Sequence, residues 1–405
     1  MPRVDQTNYR TLIIAGCGTI GKSVLRLGQA EIAGFDSAIV IDKYFAGLPA
    51  MPGKIDFRLG DIENPGFLKN LCETVRMPCL LLNVAAGTDN IAIRKIISAY
   101  DMAYLDSCAS SLPGKKEYRF SRYMPYTFTP IVSRFPHWLC WGINPGLVEI
   151  MARKLIREIG CEEETTFDVS IYESDQLHAD WKGGAVAVGW SPEMLIEEVM
   201  VSPTLQVRGG RSVEREAPGT DKIVAFWGGS PVPSRIVGHE DIWNIGLLKS
   251  VEQARFIYGL HPKVMDVLDG KPDEACRVLK VPDESTALFG MERIAVKVER
   301  SDNGQSRSVV WETDHEAVRK KYSLNAVQYQ TGKSLLLAIR LLQNTHYGRC
   351  AISACASNLS IGEPDWKMIE EMMYDLSIDW RDGEIYDLHA VPEVNLHRSD
   401  RTCCY

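Results

Sequence analysis

Over the first 150 positions, short apolar runs alternate with segments whose apolar residues recur at helical spacing. Thr11–Ala15, Asp36–Asp42, Lys54–Arg58, Pro78–Val84 and Met102–Asp106 read as strands. Helices are predicted from Gly18, over Pro65–Val75, and from the polar turn Gly87–Asn90 to Tyr100. Buried strands alternating with helices predict a parallel sheet with helices on its faces, an α/β domain of Rossmann type. A further strand near Trp138–Trp141 leads into Asn144-Pro145, read as a helix start with Asn144 as cap and Pro145 at the first helical position. From about Phe167 the alternation loosens. Strands are expected at Phe167–Glu173, Ile223–Trp227, Ser234–Val237 and Ile294–Glu299, a helix at Ser191–Met200 and a hairpin tip at Asn303–Ser308. The pattern predicts a nucleotide-binding domain over 1–150 and a second, α+β substrate and dimerisation domain over 151–322. A long helical pattern at Ala326–Gln343 suggests that residues 323–405 pack back on the first domain.

Residues 16–23, Gly-Cys-Gly-Thr-Ile-Gly-Lys-Ser, satisfy two phosphate-binding patterns at once. Gly16, Gly18 and Gly21 make a dinucleotide turn, in which Thr19 and Ile20 open the helix. Gly16, Gly21, Lys22 and Ser23 make a P-loop. Either way, glycines let backbone approach phosphate at a helix N-terminus. A dinucleotide fold also needs a carboxylate at the end of the second strand for the ribose hydroxyls. Asp42 stands there, 21 residues after Gly21. Asp42 could equally serve magnesium in an NTPase, but no later motif supports one, and the dinucleotide reading is preferred. Asp42 favours NAD, although Lys43 is placed to meet a 2′-phosphate. Ligands of such sheets bind beyond the carboxyl ends of the strands, which adds Asn83 and Asp106 to the cofactor pocket.

Composition narrows the class. With 45% hydrophobic and 24% charged residues, the 405-residue chain can bury a large core. Its net charge of −8 argues against nucleic acid as a partner and suits cationic small substrates. The 11 cysteines form no C-x-x-C pair and the histidines show no metal spacing, so reduced thiols and no metal are expected. No apolar run reaches the length of a membrane span, and a cytoplasmic location is expected.

Candidate chemistry concentrates in the second domain. Trp181 and Trp190 lie near Glu173, Asp175, Asp180, Glu193, Glu197 and Glu198. Tryptophan faces and carboxylates both hold ammonium groups, so the set suits an aliphatic amine. A core tryptophan beside a solvated acidic helix face would leave the same pattern. His239-Glu240-Asp241 follows a strand, where a histidine could move protons.

Taken in order, these residues resemble the bacterial homospermidine synthases, in the saccharopine-dehydrogenase-like group. The likeness runs through Gly16–Gly21 with Asp42, Leu82-Asn-Val84, Tyr104-Leu-Asp106, Gly142-x-Asn-Pro-Gly146, Tyr172-Glu173, Trp190 with Glu198 eight residues on, Gly238-His239, Leu260-His-Pro262 and Asn325. The resemblance implies bound NAD, a homodimer, and a reaction in which a diamine is oxidised to an imine, condensed with a second amine and reduced by the same nicotinamide. It further implies that Trp190 covers the iminium, that Glu198 and Glu173 anchor or deprotonate amines, that Asn144 orients the reacting centre and that His239 relays protons. Two family carboxylates are replaced here by Gly87 and Ser110, with Asp89 a possible substitute for the first. The rival expectations are a saccharopine- or opine-type reductive condensation with a keto acid, for which Arg208, Arg211 and Arg235 could clamp a carboxylate, and a sensor that has lost catalysis.

Overall fold

The protein is described by a computed structural model over residues 8–45, 55–108, 129–160, 164–181, 184–202, 204–208, 211–215, 222–350 and 353–389. Strands β1 (Thr11–Ala15), β2 (Ser37–Asp42), β3 (Ile55–Leu59), β4 (Cys79–Asn83), β5 (Met102–Asp106) and β6 (His137–Trp138) form where the apolar runs place them. They pair in the order 3-2-1-4-5-6, all parallel, with Ser353–Ala354 added beyond β6. This is the doubly wound dinucleotide-binding order. Every residue of β1, β4 and β5 is buried, so both faces of the sheet must be covered. Leu12 and Ile14 join the core beneath helices Thr19–Leu27 and Ala326–Asn344, while Ile13 and Ala15 join the core beneath Pro65–Thr74 and Asn90–Ile97. Truncating Ile14, which is fully buried, would cost about 2–5 kcal/mol.

The helix Ala326–Asn344 lies against the helix of the glycine turn because glycines remove the side chains that would keep them apart. A Cβ on Gly332 would stand 2.0 Å from Ser23 Oγ, and one on Gly28 would stand 2.4 Å from Leu336 Cδ2. The helix starts with a reciprocal cap. Gln328 N–H donates to Asn325 Oδ1 at 2.8 Å, and Asn325 N–H donates to Gln328 Oε1 at 3.1 Å. Such a cap contributes about 1 kcal/mol.

The second sheet is mixed. Its centre is β7 (Phe167–Asp175), flanked in parallel by Val251–Leu260 and antiparallel by Met291–Arg300. Strands Ser230–Val237, Lys222–Trp227 and Ile385–His389 continue one side, and Ser306–Asp314 and Arg381–Asp382 the other. Phe167, Val169 and Ile171 alternate onto the face that shares one core with helix Leu147–Ile159, together with Phe256, Leu260, Val296 and Val298. Tyr172, Ile257 and Ala295 point the other way, into a separate core with Ile223, Ile236 and Ile385. The face towards the first domain is therefore apolar along most of β7, and it turns acidic only at the strand's end.

Asn144 corrects an expectation. It does not cap a helix. The segment folds back, with Gly142 N–H donating to Pro145 C=O and Gly146 at φ +122°, so the helix begins at Leu147. The amide of Asn144 is thereby freed for another partner. The Ser191–Met200 helix is present as Pro192–Ile196, capped by Ser191, and it runs on into a wide turn at Glu197–Val201 closed by Ser202 N–H on Glu197 C=O. The expected hairpin tip falls slightly earlier, since strand Ser306–Asp314 already occupies the last residues assigned to it.

Candidate active site

The glycine turn fits a dinucleotide. A Cβ on Gly16, at φ +98°, would approach Ala85 N to 2.6 Å, and one on Gly21 would stand 2.0 Å from Gly16 O. Gly18 has open space beside it and provides no side-chain cap to the helix that starts at Thr19. The first N–H groups are therefore left without a side-chain acceptor, which is the condition for holding a pyrophosphate. Ile20 packs against the core. Asp42 ends β2 beside the turn, accepting from Cys17 N–H at 2.6 Å and Tyr44 N–H at 3.2 Å. Its oxygens retain further acceptor sites for ribose hydroxyls. Lys43 turns away to Asp61 and Glu63, at 3.1 and 3.8 Å, where it already has two anionic partners. Ser23 decides against the P-loop. Its hydroxyl is wholly buried and donates to Gln328 C=O at 2.6 Å, out of reach of a phosphate-bound metal.

Asn83 and Asp106 close the carboxyl ends of β4 and β5 as a buried network. Asn83 Nδ2 faces Thr88 Oγ1, Asn90 Oδ1 and Tyr104 Oη at 3.0–3.2 Å. Asp106 accepts from Cys140 N–H at 2.6 Å and Asn90 Nδ2 at 3.0 Å. Burial pushes the Asp106 carboxyl up to about 7, against these stabilising bonds. Both side chains are engaged by the protein's own groups.

The second sheet carries an acidic cluster at the end of β7. Strand register places Glu173 beside Tyr258 and Ile294, and Asp175 beside Leu260 and Glu292. Asn144 donates its amide to Glu173, and Tyr258 also hydrogen-bonds that carboxyl. Trp190 Nε1 donates to Tyr258 Oη at 3.1 Å. Trp190, Glu173 and Asn144, far apart in sequence, are thus joined through one tyrosine. Glu198 lies on the wide turn, its Oε1 buried and without a donor. A narrow crevice lies between Trp190, Tyr258, Asp175 and Leu195.

The electrostatics are one-sided. Burial, then the neighbouring Asp175, pushes the Glu173 carboxyl up to about 8. Burial and then Glu173 hold Glu198 well above the usual range, with Glu240 and Asp241 adding to the effect. His239 stacks on Phe256 at 4.2 Å, and its Nδ1 lies 2.8 Å from Asp241 Oδ2. Burial lowers the affinity of His239 for a second proton, although Glu240 opposes this. Behind it Glu149 is held by Asn244 Nδ2 and Ser357 N–H, each at 2.7 Å, and it is raised by burial and by Asp241. Arg293, the cation that bears on the neighbouring Glu292, pairs with Glu312 at 2.6 Å. A buried cluster so rich in acid is completed by a cationic ligand or by protons.

Tyr258, Glu292, Glu149 and His315 belong to this environment and were not singled out by the sequence. Glu292 did leave a signal, since it keeps step with Ile294, Val296 and Val298 on the inward face of its strand. Of the two substituted positions, Gly87 has φ +71° with nothing near its absent Cβ. Asp89 caps the helix behind it, accepting from Ala92 N–H at 3.0 Å. Ser110 lies outside the described residues, as do Cys403-Cys404 and the side chains of Arg208 and Arg211. Arg235 neighbours Tyr258 in register, but its guanidinium is held by Asp269. The cysteines among the described residues are free thiols. Among these residues, no helix is long and apolar enough to cross a membrane.

No protein-family model matches the chain, and no curated protein matches it in sequence. Solved structures do match. The homospermidine synthase of Legionella pneumophila, in complex with NAD, superposes with a TM-score of 0.70 at 14% identity, over 98% of this chain and 94% of that one. The apo saccharopine dehydrogenase (L-Glu forming) of Saccharomyces cerevisiae gives 0.57 at 10% identity, over 94% and 100%. At these identities the likeness establishes a common fold, which extends through both sheets.

Proposed function

We propose that the protein is an NAD-dependent oxidoreductase acting on the C–N bond of an aliphatic amine, in the manner of a homospermidine synthase. The observation that carries this reading is the acidic face of Glu173, Glu198 and their neighbours beside Trp190, in a fold whose first sheet carries a donor-rich glycine turn. The fold shared with an NAD-bound homospermidine synthase supports it. Gly16, Gly18 and Gly21 would hold the pyrophosphate and Asp42 the adenosine ribose. A nicotinamide held there supplies a two-electron acceptor that can later return the same electrons.

The chain's own residues would do the rest. Glu173 and Glu198 take ammonium groups whose charge relieves their own desolvation, and Trp190 offers its face to the cationic carbon–nitrogen centre. Glu173, positioned by Asn144 and Tyr258, accepts the proton lost as the amine becomes an imine. The low affinity of His239 for a second proton leaves it neutral and able to relay one. Two diamines would give one secondary amine and ammonia, with no net oxidation. With Gly87 in place of a carboxylate, the amine's anchors would come mainly from the second sheet.

The test is incubation of the purified protein with NAD and putrescine, with products read by mass spectrometry. A longer polyamine formed without lasting nicotinamide reduction supports the proposal. Steady NADH consumption only with an added keto acid would favour reductive condensation, which needs a cationic clamp. In that case Arg235→Ala should be severely impaired, whereas in amine transfer it should change turnover less than about threefold, as expected for a charge already paired with Asp269.

A further inference from the structure

Beneath Glu173 lies a second layer of titratable groups that the chemistry above does not use. Asp175, Glu292 and His315 are 4%, 1% and 0% exposed. Their nearest oxygen and nitrogen atoms all lie within 4.8 Å of one another, a spacing that would suit a metal ion. The protons argue otherwise. Ala326 N–H donates to His315 Nδ1 at 3.1 Å, which fills that lone pair and places the ring proton on Nε2. Nε2 then donates to Asp175 Oδ1 at 3.1 Å, where Leu177 N–H also donates at 2.9 Å. A neutral histidine so fixed has no lone pair left for a metal.

Asp175 Oδ1 thus receives two donors. Glu292 lies opposite it in register, hydrogen-bonds it, and carries a buried Oε2 with no other donor. Two facing carboxyls in a dry site are accommodated when one of them keeps its proton. That proton belongs to Glu292. The other oxygen of Asp175 lies under Gly189, where a Cβ would approach it to 2.9 Å. Asn325 Nδ2 fastens the Gly189 carbonyl at 2.6 Å, directly before Trp190.

We propose that Asp175, Glu292 and His315 form a positioning triad that keeps one negative charge fixed beneath Glu173 and so sets the proton load of that carboxyl. The proposal rests on the reading of Glu173 as an amine-facing group. The other titratable groups facing Glu173 are Tyr258 from Val251–Leu260, Asp241 from helix Glu240–Gly246, and Glu198 from the wide turn. Tyr258 stays neutral, because burial and the surrounding acids raise its hydroxyl far above the ordinary range. Asp241 stands across the site. Asp175 is two residues away on the same face of the same strand, so its charge acts most directly.

Carboxyl carbon shifts of the full-length protein, labelled with 13C-glutamate and titrated by NMR, provide the test. Glu173→Gln identifies the Glu173 signal. Asp175→Asn removes the fixed charge, while Glu292 remains desolvated and protonated, so the Glu173 midpoint should fall by about one pH unit or more. Glu292→Gln keeps the charge on Asp175 and should move the midpoint much less. An unmoved midpoint in Asp175→Asn, or an equal fall in both variants, overturns the proposal. Should Asp175→Asn fail to fold, 15N shifts of His315 in the wild-type protein decide. The neutral ring should carry its proton on Nε2 at about pH 8. An Nδ1–H tautomer, or displacement of the His315 signals by added zinc, overturns the triad. Neither measurement requires turnover. Absence of amine chemistry would therefore sink the proposed function alone, and an unmoved titration the triad alone.

Discussion

At the glycine turn the unmatched groups are donors, the first N–H groups of the Thr19–Leu27 helix. At the end of the second sheet, Glu198 Oε1 and Glu292 Oε2 are buried acceptors without a donor. The first region would cradle an anion with uncharged backbone, and its fit is steric: a methyl group on Gly16 or Gly21 has no room. The second region would meet a ligand with ionisable side chains, and its fit would depend on how many protons they hold. The first region should therefore be brittle to shape and indifferent to pH, and the second the reverse.

Gly21→Val should strike the first region hardest. Its Cβ would stand 2.0 Å from Gly16 O, and overpacking of this kind costs about 1–3 kcal/mol even where neighbours can yield. Because backbone cannot yield here, NAD affinity should fall on the order of 100-fold, as read by fluorescence titration. The loss should be the same at pH 6 and pH 8.

Trp190→Ala should split the halves cleanly. A desolvated cation–π contact contributes about 2 kcal/mol, so turnover of the amine should drop roughly 10- to 30-fold while NAD binding stays within about twofold. Unchanged turnover would remove Trp190 from the site.

The pH effects are smaller and belong to the second region. Glu173 ionises near 8 when folded and in the usual glutamate range when unfolded, so the unfolded chain binds fewer protons between about pH 5 and 8. Stability is therefore fully present below that window and declines as pH rises through it. Glu173→Gln should flatten the decline by roughly 1–3 kcal/mol in denaturant titrations. For the same reason, an ammonium ligand bound at pH 7 should expel up to about one proton, visible as a buffer-dependent calorimetric enthalpy. Proton uptake, or no buffer dependence, would contradict an acidic cradle.

The two regions were also unequally legible in the sequence. Gly16–Gly21 and Asp42 are nearly contiguous, and their geometry follows from one strand–turn–helix. The acidic face is assembled by register across β7, Val251–Leu260 and Met291–Arg300, whose pairing is set by tertiary structure. Glu173 and Trp190 could be named from their types and order, but Tyr258, which links them, could not. Asn144 shows a local rule giving way: Asn-Pro reads as a helix cap, yet the tight Gly142–Gly146 turn delays the helix and sends the amide to Glu173. Lys22-Ser23 shows the converse. A phosphate motif lost its meaning because Gly332 lets a helix from the far end of the chain bury the serine.

That helix, Ala326–Asn344, has a mechanical consequence. It is a rod about 28 Å long whose flank rests on the cofactor turn's helix and whose first residues hold His315 and the carbonyl before Trp190. Were NAD and an amine both bound, any ordering of that helix by one would be shared with the other. Linkage makes that benefit mutual: NAD and amine should tighten each other's binding by one and the same factor.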